Sequence, residues 1–153
     1  MTGKESVDLS PLRLVDDQSV VINAPSAVVW RELGAVIGRA GSRGVELGGR
    51  LLRLRPAAAA GDPLFVGSAL PGFAIVRADP QRELALTGRH RFSTYAVIFH
   101  LATEGEQTTL RAETHADFPG MAGRLYKAAV IDTRLGTLGT RALLRMVQRR
   151  AQR

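Results

Sequence analysis

The chain has 153 residues, of which 45% are hydrophobic and 23% charged, and its net charge is +7. This composition is typical of a globular domain and excludes a disordered chain. The absence of cysteine excludes disulfides, thiolate metal sites and cysteine nucleophiles. No stretch approaches the ~18 uninterrupted apolar residues of a membrane span. The N-terminus also lacks the apolar run of a secretory signal, so we expect a cytoplasmic protein.

The positive charge is concentrated in two stretches. Residues 39–55 hold five arginines against one glutamate, and residues 134–153 hold six arginines and no acid. Such stretches can bind phosphate or anionic lipid, or they can simply solvate the surface. Neither stretch interleaves its basic residues with aromatics, which disfavours stacking onto nucleic-acid bases.

The N-terminal quarter predicts a lead-in, a strand and two short helices. We expect a flexible lead-in over residues 1–16 and a single domain over residues 17–153. A β-branched strand over residues 19–24 ends at Pro25, where a helix can begin because the first turn does not need a proline N–H. The glycine-rich residues 34–44 then predict a second short helix or a loop.

Six further short strands follow, separated by turn residues. Their short connections favour antiparallel neighbours, because a parallel crossover needs a dozen or more residues. Together with the first strand they predict a seven-stranded meander. These six predicted strands cover residues 50–55, 64–70, 72–78, 83–88, 94–102 and 108–116.

Alternation along two of these strands indicates which face of the sheet is buried. The apolar side consists of Tyr95, Val97, Phe99 and Leu101 in one strand and of Leu110, Ala112, Thr114 and Ala116 in the next. His100 and His115 fall on the opposite, polar side. Because the apolar residues of the last strand are small, a helix, a ligand or both must fill the space above them.

Residues 119–152 predict a long C-terminal helix. Apolar residues recur there at intervals of three or four from Met121 to Met146, which makes a continuous apolar stripe. The stripe needs a partner surface, so we expect this helix to close the apolar side of the sheet. Gly136 and Gly139 interrupt good helix formers and predict a bend or a close backbone approach.

Several segments together resemble a known family. They are residues 21–25 with 29–30, 72–80, 82–84, 88, 111–114, and 118–120 before 124–126. In this order they resemble the START-like (SRPBCC) superfamily, in particular its polyketide cyclase/dehydrase and lipid transport branch. The resemblance implies an α+β helix-grip fold, in which a curved seven-stranded antiparallel sheet wraps around a long C-terminal helix. It also implies a cavity between sheet and helix for a lipid, a polyketide or an aromatic compound. Residues 34–44 depart from the family pattern, because they lack the aromatic residue often found there.

The predicted ligand site combines apolar walls with a few polar anchors, as small-molecule sites usually do. The polar anchors are His90, Arg91 and Tyr126. The walls are Phe73, Ile75, Leu84, Leu86, Tyr95, Val97, Phe99, Leu110, Ala112 and Ile131.

Two other functions stay open at this point. His90 could act as a general acid or base beside Tyr95 or Arg91 in a cyclase/dehydrase-type enzyme, or it could be an ordinary turn histidine. The arginine stretches could instead dock onto RNA, a ribosome, a membrane or a protein. Tyr126 and Trp30 have a simpler interpretation as core aromatics.

Catalysis is disfavoured because the usual motifs are missing. The sequence has no dinucleotide-binding, P-loop, nucleophile-elbow or HExxH pattern, and its three histidines are scattered. No carboxylate falls on the predicted apolar side, so a paired acid and base is not expected there. We therefore expect a binding protein for a hydrophobic small molecule, without a metal or cofactor. The ligand and the oligomeric state stay open.

Overall fold

The computed structural model describes residues 9, 11–40, 60–70, 72–90, 93–130 and 135–153. Their six strands form one antiparallel sheet in the order β1-β6-β5-β4-β3-β2. The strands are β1 (Arg13–Ile22), β2 (Ala69–Leu70), β3 (Phe73–Asp79), β4 (Glu83–His90), β5 (Ser93–Glu104) and β6 (Gln107–Asp117). The helices are α1 (Ser26–Ala40), α2 (Gly120–Val130) and α3 (Leu135–Ala151).

The predicted α+β meander is confirmed for strands β3 to β6, whose bounds lie within two residues of those expected. The predicted strand over residues 50–55 lies outside the described residues, so the structure describes six strands of the expected seven. Only the last two residues of the predicted strand over 64–70 are extended. Residues 64–67 instead form turns, with Gly67 in a left-handed conformation.

The first strand is longer than predicted. β1 begins at Arg13, so residues 13–16, which we assigned to the flexible lead-in, pair with the end of β6. The prediction missed them because Arg13, Asp16 and Asp17 are poor strand formers by composition. Their pairing with β6 outweighs this local preference.

One helix replaces the two short helices that we predicted after β1. α1 is continuous from Ser26 to Ala40 and passes through Gly34 without a break. A Cβ on Gly34 would lie 2.6–2.9 Å from three side-chain carbons of Leu64. Gly34 therefore lets the segment before β2 approach the helix closely, and it does not end the helix.

The predicted C-terminal helix is described as two helices, α2 and α3, with residues 131–134 between them outside the described part. α3 lies along the edge strand β1 and runs in the same direction. Three contacts show this: Thr137 Oγ1 donates to Asp16 at 3.2 Å, Gln148 Nε2 donates to the Val21 carbonyl at 2.8 Å, and the backbone N–H of Asn23 donates to Gln152 Oε1 at 3.0 Å. No helix in the described residues is both long and apolar enough to cross a membrane.

The hydrophobic core lies where α1 and α3 cover the sheet. Leu144 and Val147 of α3 are buried beside Val29 and Leu33 of α1. Trp30 belongs to the same cluster, which confirms its predicted role as a core aromatic. The sheet residues of this core are Ile22, Leu70, Ile75, Leu84, Leu86, Phe99, Leu101, Leu110 and Ala112.

An ion pair between the two helices supports this core. Arg150 Nε of α3 lies 2.8 Å from Glu32 Oε2 of α1, and the glutamate side chain is only 12% exposed. Burial by itself raises the pKa of Glu32, but hydrogen bonds from Arg150 and Arg31 outweigh burial and hold the pKa below its usual value. The folded state therefore favours the ionised carboxylate.

We expect Glu32→Gln to lower the free energy of unfolding by about 1.5 kcal/mol at pH 7, because it weakens charge-assisted hydrogen bonds. Since the pKa is lower in the folded than in the unfolded state, this stabilisation is complete above the unfolded pKa of about 4.3 and is lost as the pH falls through the folded value. Urea unfolding should show a larger difference from wild type at pH 7 than at pH 3. Arg149→Gln, at an exposed neighbour of Arg150, should have little effect at either pH. An equal loss in both variants would contradict a specific pair.

Candidate functional site

The strand register places side chains of five strands in rows across the inner face, which is the face covered by α1 and α3. One row runs from Asp16 through Thr114, Val97 and Leu86 to Ile75. The next row towards the start of β1 contains Ala116, Tyr95 and Gly88. The row on the other side contains Ala112, Phe99 and Leu84. The predicted alternation of β5 and β6 is thus confirmed residue by residue.

The burial of the side chains differs from one row to the next. Ala112, Phe99 and Leu84 are at most 3% exposed, because α1 and α3 lie directly above them. Val97, Thr114 and Tyr95, one and two rows nearer the start of β1, are only partly buried. We call Asp16, Thr114, Val97, Tyr95 and Phe73 together the upper inner face. It combines apolar and polar groups, whereas the lower rows are closed core.

The predicted wall residues divide between these two regions. Phe73, Tyr95 and Val97 belong to the upper inner face. The other described wall residues are side chains of the closed core: Ile75, Leu84, Leu86, Phe99, Leu110 and Ala112.

The predicted polar anchors cannot be placed in the same way. His90 ends β4 opposite Ser93, and Tyr126 lies in α2. The side chains of both are outside the described part of the structure. Arg91 and the predicted wall residue Ile131 are outside the described residues altogether.

Tyr95 is held by its surroundings. Its hydroxyl donates to the Gly72 carbonyl at 2.5 Å, and its ring meets Phe73 edge to face, with centroids 5.1 Å apart. The ring lies over Gly88, the residue opposite in β4. A proton shuttled by Tyr95 would first have to leave the hydrogen bond to Gly72. The geometry thus favours a positioning role over the acid–base role that we considered.

Sequence reasoning missed a carboxylate on the inner face. Asp16 lies opposite Thr114, on the same side of β1 as Gln18, Val20 and Ile22. Its Oδ1 accepts hydrogen bonds from Gln18 Nε2 at 3.0 Å and from Thr137 Oγ1 at 3.2 Å. The signal was available, because counting back in twos from Ile22 reaches Asp16. The predicted strand begins at Ser19 and therefore leaves Asp16 outside this alternation.

A β-bulge limits how far this alternation extends. The register shifts between Leu14 and Asp16, so Val15 is an extra residue in β1. Leu14 consequently pairs with His115 on the outer face, where it is 55% exposed. Asp16 is therefore the last residue of the regular alternation on the inner face.

The outer face carries a network of charged side chains across four strands. Arg111 binds Asp17 at 2.7 Å and Glu113 at 2.8 Å. His115 lies 3.2 Å from Glu113, and His100 lies between Glu113 and Glu83. Both histidines thus point away from the apolar side, as predicted. Within the described part of the chain, no three histidine or carboxylate side chains are arranged to hold a metal ion.

A separate surface groove of about 640 Å³ lies on the outside of α1, between that helix and residues 61–64. Arg31, Gly34 and Gly38 form part of its floor. None of its lining residues belongs to the rows of the inner face. We therefore keep the upper inner face as the candidate site.

Comparisons with known proteins match the fold and not the sequence. No protein-family model matches this sequence, and a comparison with curated proteins finds no match either. Among solved structures, Mll3558 from Rhizobium loti is 17% identical over 88% of this chain and 94% of that chain, with a TM-score of 0.58. CV1439 from Chromobacterium violaceum is 11% identical over 90% of this chain and 96% of that chain, also with a TM-score of 0.58.

A third match connects the fold to the resemblance noted in the sequence. DynU16, described as a protein in the dynemicin biosynthetic locus, is 16% identical, with a TM-score of 0.52 over 89% of this chain and 48% of that chain. The likeness is one of fold: an antiparallel sheet with a C-terminal helix agrees with the helix-grip arrangement that the resemblance implies.

Proposed function

We propose that this protein binds a hydrophobic small molecule, a lipid, a polyketide or an aromatic compound, against the upper inner face of its sheet. The observation that carries the proposal is the change in burial along the inner face. The row of Ala112, Phe99 and Leu84 is closed by α1 and α3, and Leu86 and Ile75 are buried beside it. Phe73, Tyr95 and Val97, in contrast, form an apolar surface that the protein's own described side chains only partly cover. An incompletely covered apolar surface beside a few polar groups is what a small-molecule site requires.

Binding has more support than catalysis. The upper inner face holds one carboxylate, Asp16, and one tyrosine whose hydroxyl is engaged with Gly72. A paired acid and base, which cyclisation or dehydration would need, is not present among its described side chains. DynU16 comes from a biosynthetic locus, and this likeness of fold leads us to include polycyclic aromatic compounds among the ligands to be tested.

The arginine stretches have a partly structural role, which weakens the docking alternative. Arg150 pairs with Glu32, and Arg141 donates two hydrogen bonds to Gln18 Oε1 at 3.2–3.3 Å. Both arginines thus tie α3 to the rest of the domain. Most of residues 39–55 lie outside the described residues.

We expect Val97→Trp to weaken ligand binding by about tenfold or more, because the indole would occupy the space above the row that contains Thr114. The measurement is a titration of purified protein with fatty acids, sterols and polycyclic aromatic compounds, monitored by calorimetry and native mass spectrometry. Phe99→Arg is unsuitable, since Phe99 is 3% exposed and an arginine there would unfold the core.

Thr94→Trp is the matched control. Thr94 is an exposed residue of the same strand on the outer face, opposite Arg89. This variant should bind as wild type does, with circular dichroism confirming that both variants fold. Absence of saturable binding by wild-type protein to the whole panel, or equal affinity of wild type and Val97→Trp, would refute the proposed site.

A further inference from the structure

One carboxylate oxygen on the inner face lacks a partner. Asp16 Oδ1 is engaged by Gln18 and Thr137, but Oδ2 is shielded from solvent and has no hydrogen-bond partner among the described residues. Buried polar atoms are almost always paired, and a carboxylate oxygen that lacks a donor costs more than a neutral group. The arrangement is therefore unfavourable for the folded protein alone.

The hydrogen-bond donors described near Asp16 do not pair with Oδ2. Arg141 of α3 reaches β1 but donates to the side-chain Oε1 of Gln18, one inner-face position further along the strand. Gln18 in turn uses its amide N–H on Oδ1. The local network thus orients the carboxylate and leaves Oδ2, which solvent does not reach, without a donor at one end of the upper inner face. If residue 16 served only stability, we would expect a carboxylate with both oxygens paired or an apolar side chain such as that of Val20.

The position of Asp16 relative to the apolar part of the site gives the size of a matching ligand. Asp16 pairs with Thr114, and Thr114 pairs with Val97. Neighbouring strands lie about 4.8 Å apart, so Asp16 and Val97 are separated by roughly 10 Å across the sheet. A ligand with a donor group at one end and a rigid apolar body of two rings could contact both.

We infer, on the basis of the binding function proposed above, that Asp16 is the polar anchor of the site and that it selects apolar ligands carrying a hydrogen-bond donor. The donor is a hydroxyl or an ammonium group. Either would pair with Oδ2, and the ammonium would in addition neutralise the carboxylate. A ligand with only acceptor groups would be rejected, because it would bury Oδ2 without a partner.

The first test needs no ligand. Asp16→Leu keeps the size of the side chain and removes the unpaired oxygen together with the acceptor of Gln18 and Thr137, so the two effects should nearly cancel and leave the melting temperature within about 2 °C of wild type. Asp17→Asn, at the next residue on the outer face, removes a carboxylate that Arg111 binds, and it should lower the melting temperature. A clear fall with Asp16→Leu would show that Asp16 serves folding, and would overturn the inference.

The second test uses three probes with one naphthalene body: 2-naphthol, 2-naphthylmethylammonium and 2-methoxynaphthalene. Wild type should bind the first two about tenfold more tightly than the methyl ether. Asp16→Leu should remove both preferences, and Asp16→Asn should remove the preference for ammonium. A preference for only one donor in wild type would identify which of the two chemistries the site takes. Asp17→Asn should leave all ratios as in wild type.

The possible outcomes distinguish failure of the Asp16 anchor from failure of the proposed binding function. Saturable binding of all three probes with equal affinity, in wild type and in the Asp16 variants, would overturn the anchor and leave the binding function standing. No saturable binding of any probe or of the wider panel by wild type would overturn both. In that case the ligand-free measurement would still decide whether Asp16 serves folding.

Discussion

Gly88→Ala is expected to lower the free energy of unfolding by about 3 kcal/mol, the largest effect of any single methyl group in the described sheet. A Cβ at this position would overlap the carbonyl oxygen of Gly72 and would lie 2.7 Å from Cε2 and 2.8 Å from the hydroxyl oxygen of Tyr95. The obstacle is a backbone atom and a ring held by its own hydrogen bond, so neither can move cheaply. Urea unfolding measures the loss.

Two further variants make this prediction specific. Tyr95→Phe keeps the ring and removes only the hydrogen bond to Gly72, so it should cost about 1 kcal/mol. Gly139→Ala adds a methyl group to α3 where nothing lies within 4 Å, and it should stabilise the protein by up to about 1 kcal/mol. If Gly88→Ala changed stability no more than Gly139→Ala, the Gly72 carbonyl and the Tyr95 ring could not be packed against Gly88 as described.

The arrangement around Gly88 also bears on the site. Tyr95 is clamped between Gly72 and Phe73, so the upper inner face presents a rigid aromatic wall. A rigid wall reduces the conformational entropy lost on binding. Substitution of Gly88 should therefore impair ligand binding together with stability.

The sequence predicted well those parts of the fold that depend on alternation. In β5 and β6 most residues at alternate positions are apolar, and the register pairs Phe99 with Ala112 and Val97 with Thr114 as alternation requires. A slip by one residue would turn the apolar set to solvent, so the pattern and the pairing carry the same information. The outer-face position of His100 and His115 follows from the same rule.

Prediction failed where tertiary contacts outweigh local preference. Arg13, Asp16 and Asp17 are poor strand formers, and residues 13–16 fall in the predicted lead-in. β6 nevertheless supplies this segment with hydrogen-bond partners, and Arg111 pairs with Asp17. Gly34 resembles a helix break, yet it allows Leu64 to approach α1. Neither partner adjoins the segment in sequence, so local reasoning could not find it.

The sequence predicts which side chains share the inner face, but not which of them form the candidate site. Alternation identifies which side chains share the inner face, but it cannot tell a wall of a binding site from closed core. Phe99 and Val97 are equivalent in the pattern of β5, and only the position of α1 and α3 above the sheet separates them. Asp16 was missed because its strand began earlier than its composition suggests.

Leu144→Ala is expected to lower the free energy of unfolding by about 2–5 kcal/mol, because it opens a cavity where α3 meets α1 and the sheet. Leu144 is 2% exposed and belongs to the same core cluster as Leu33 and Leu110. Met146→Ala, in the same helix at a side chain that is 51% exposed, should change stability by less than about 0.5 kcal/mol. Urea unfolding of the two variants gives the comparison directly.

The difference between these two variants tests how the C-terminal helix is held. Thr137, seven residues before Leu144 and about 10 Å away along the helix, donates to Asp16 at the candidate site. If Leu144 anchors α3, its truncation should also weaken ligand binding through Thr137, although it touches no ligand. If Leu144→Ala cost no more than Met146→Ala, α3 would not close the core. The upper inner face would then lack the helix that, in our proposal, makes it a binding site.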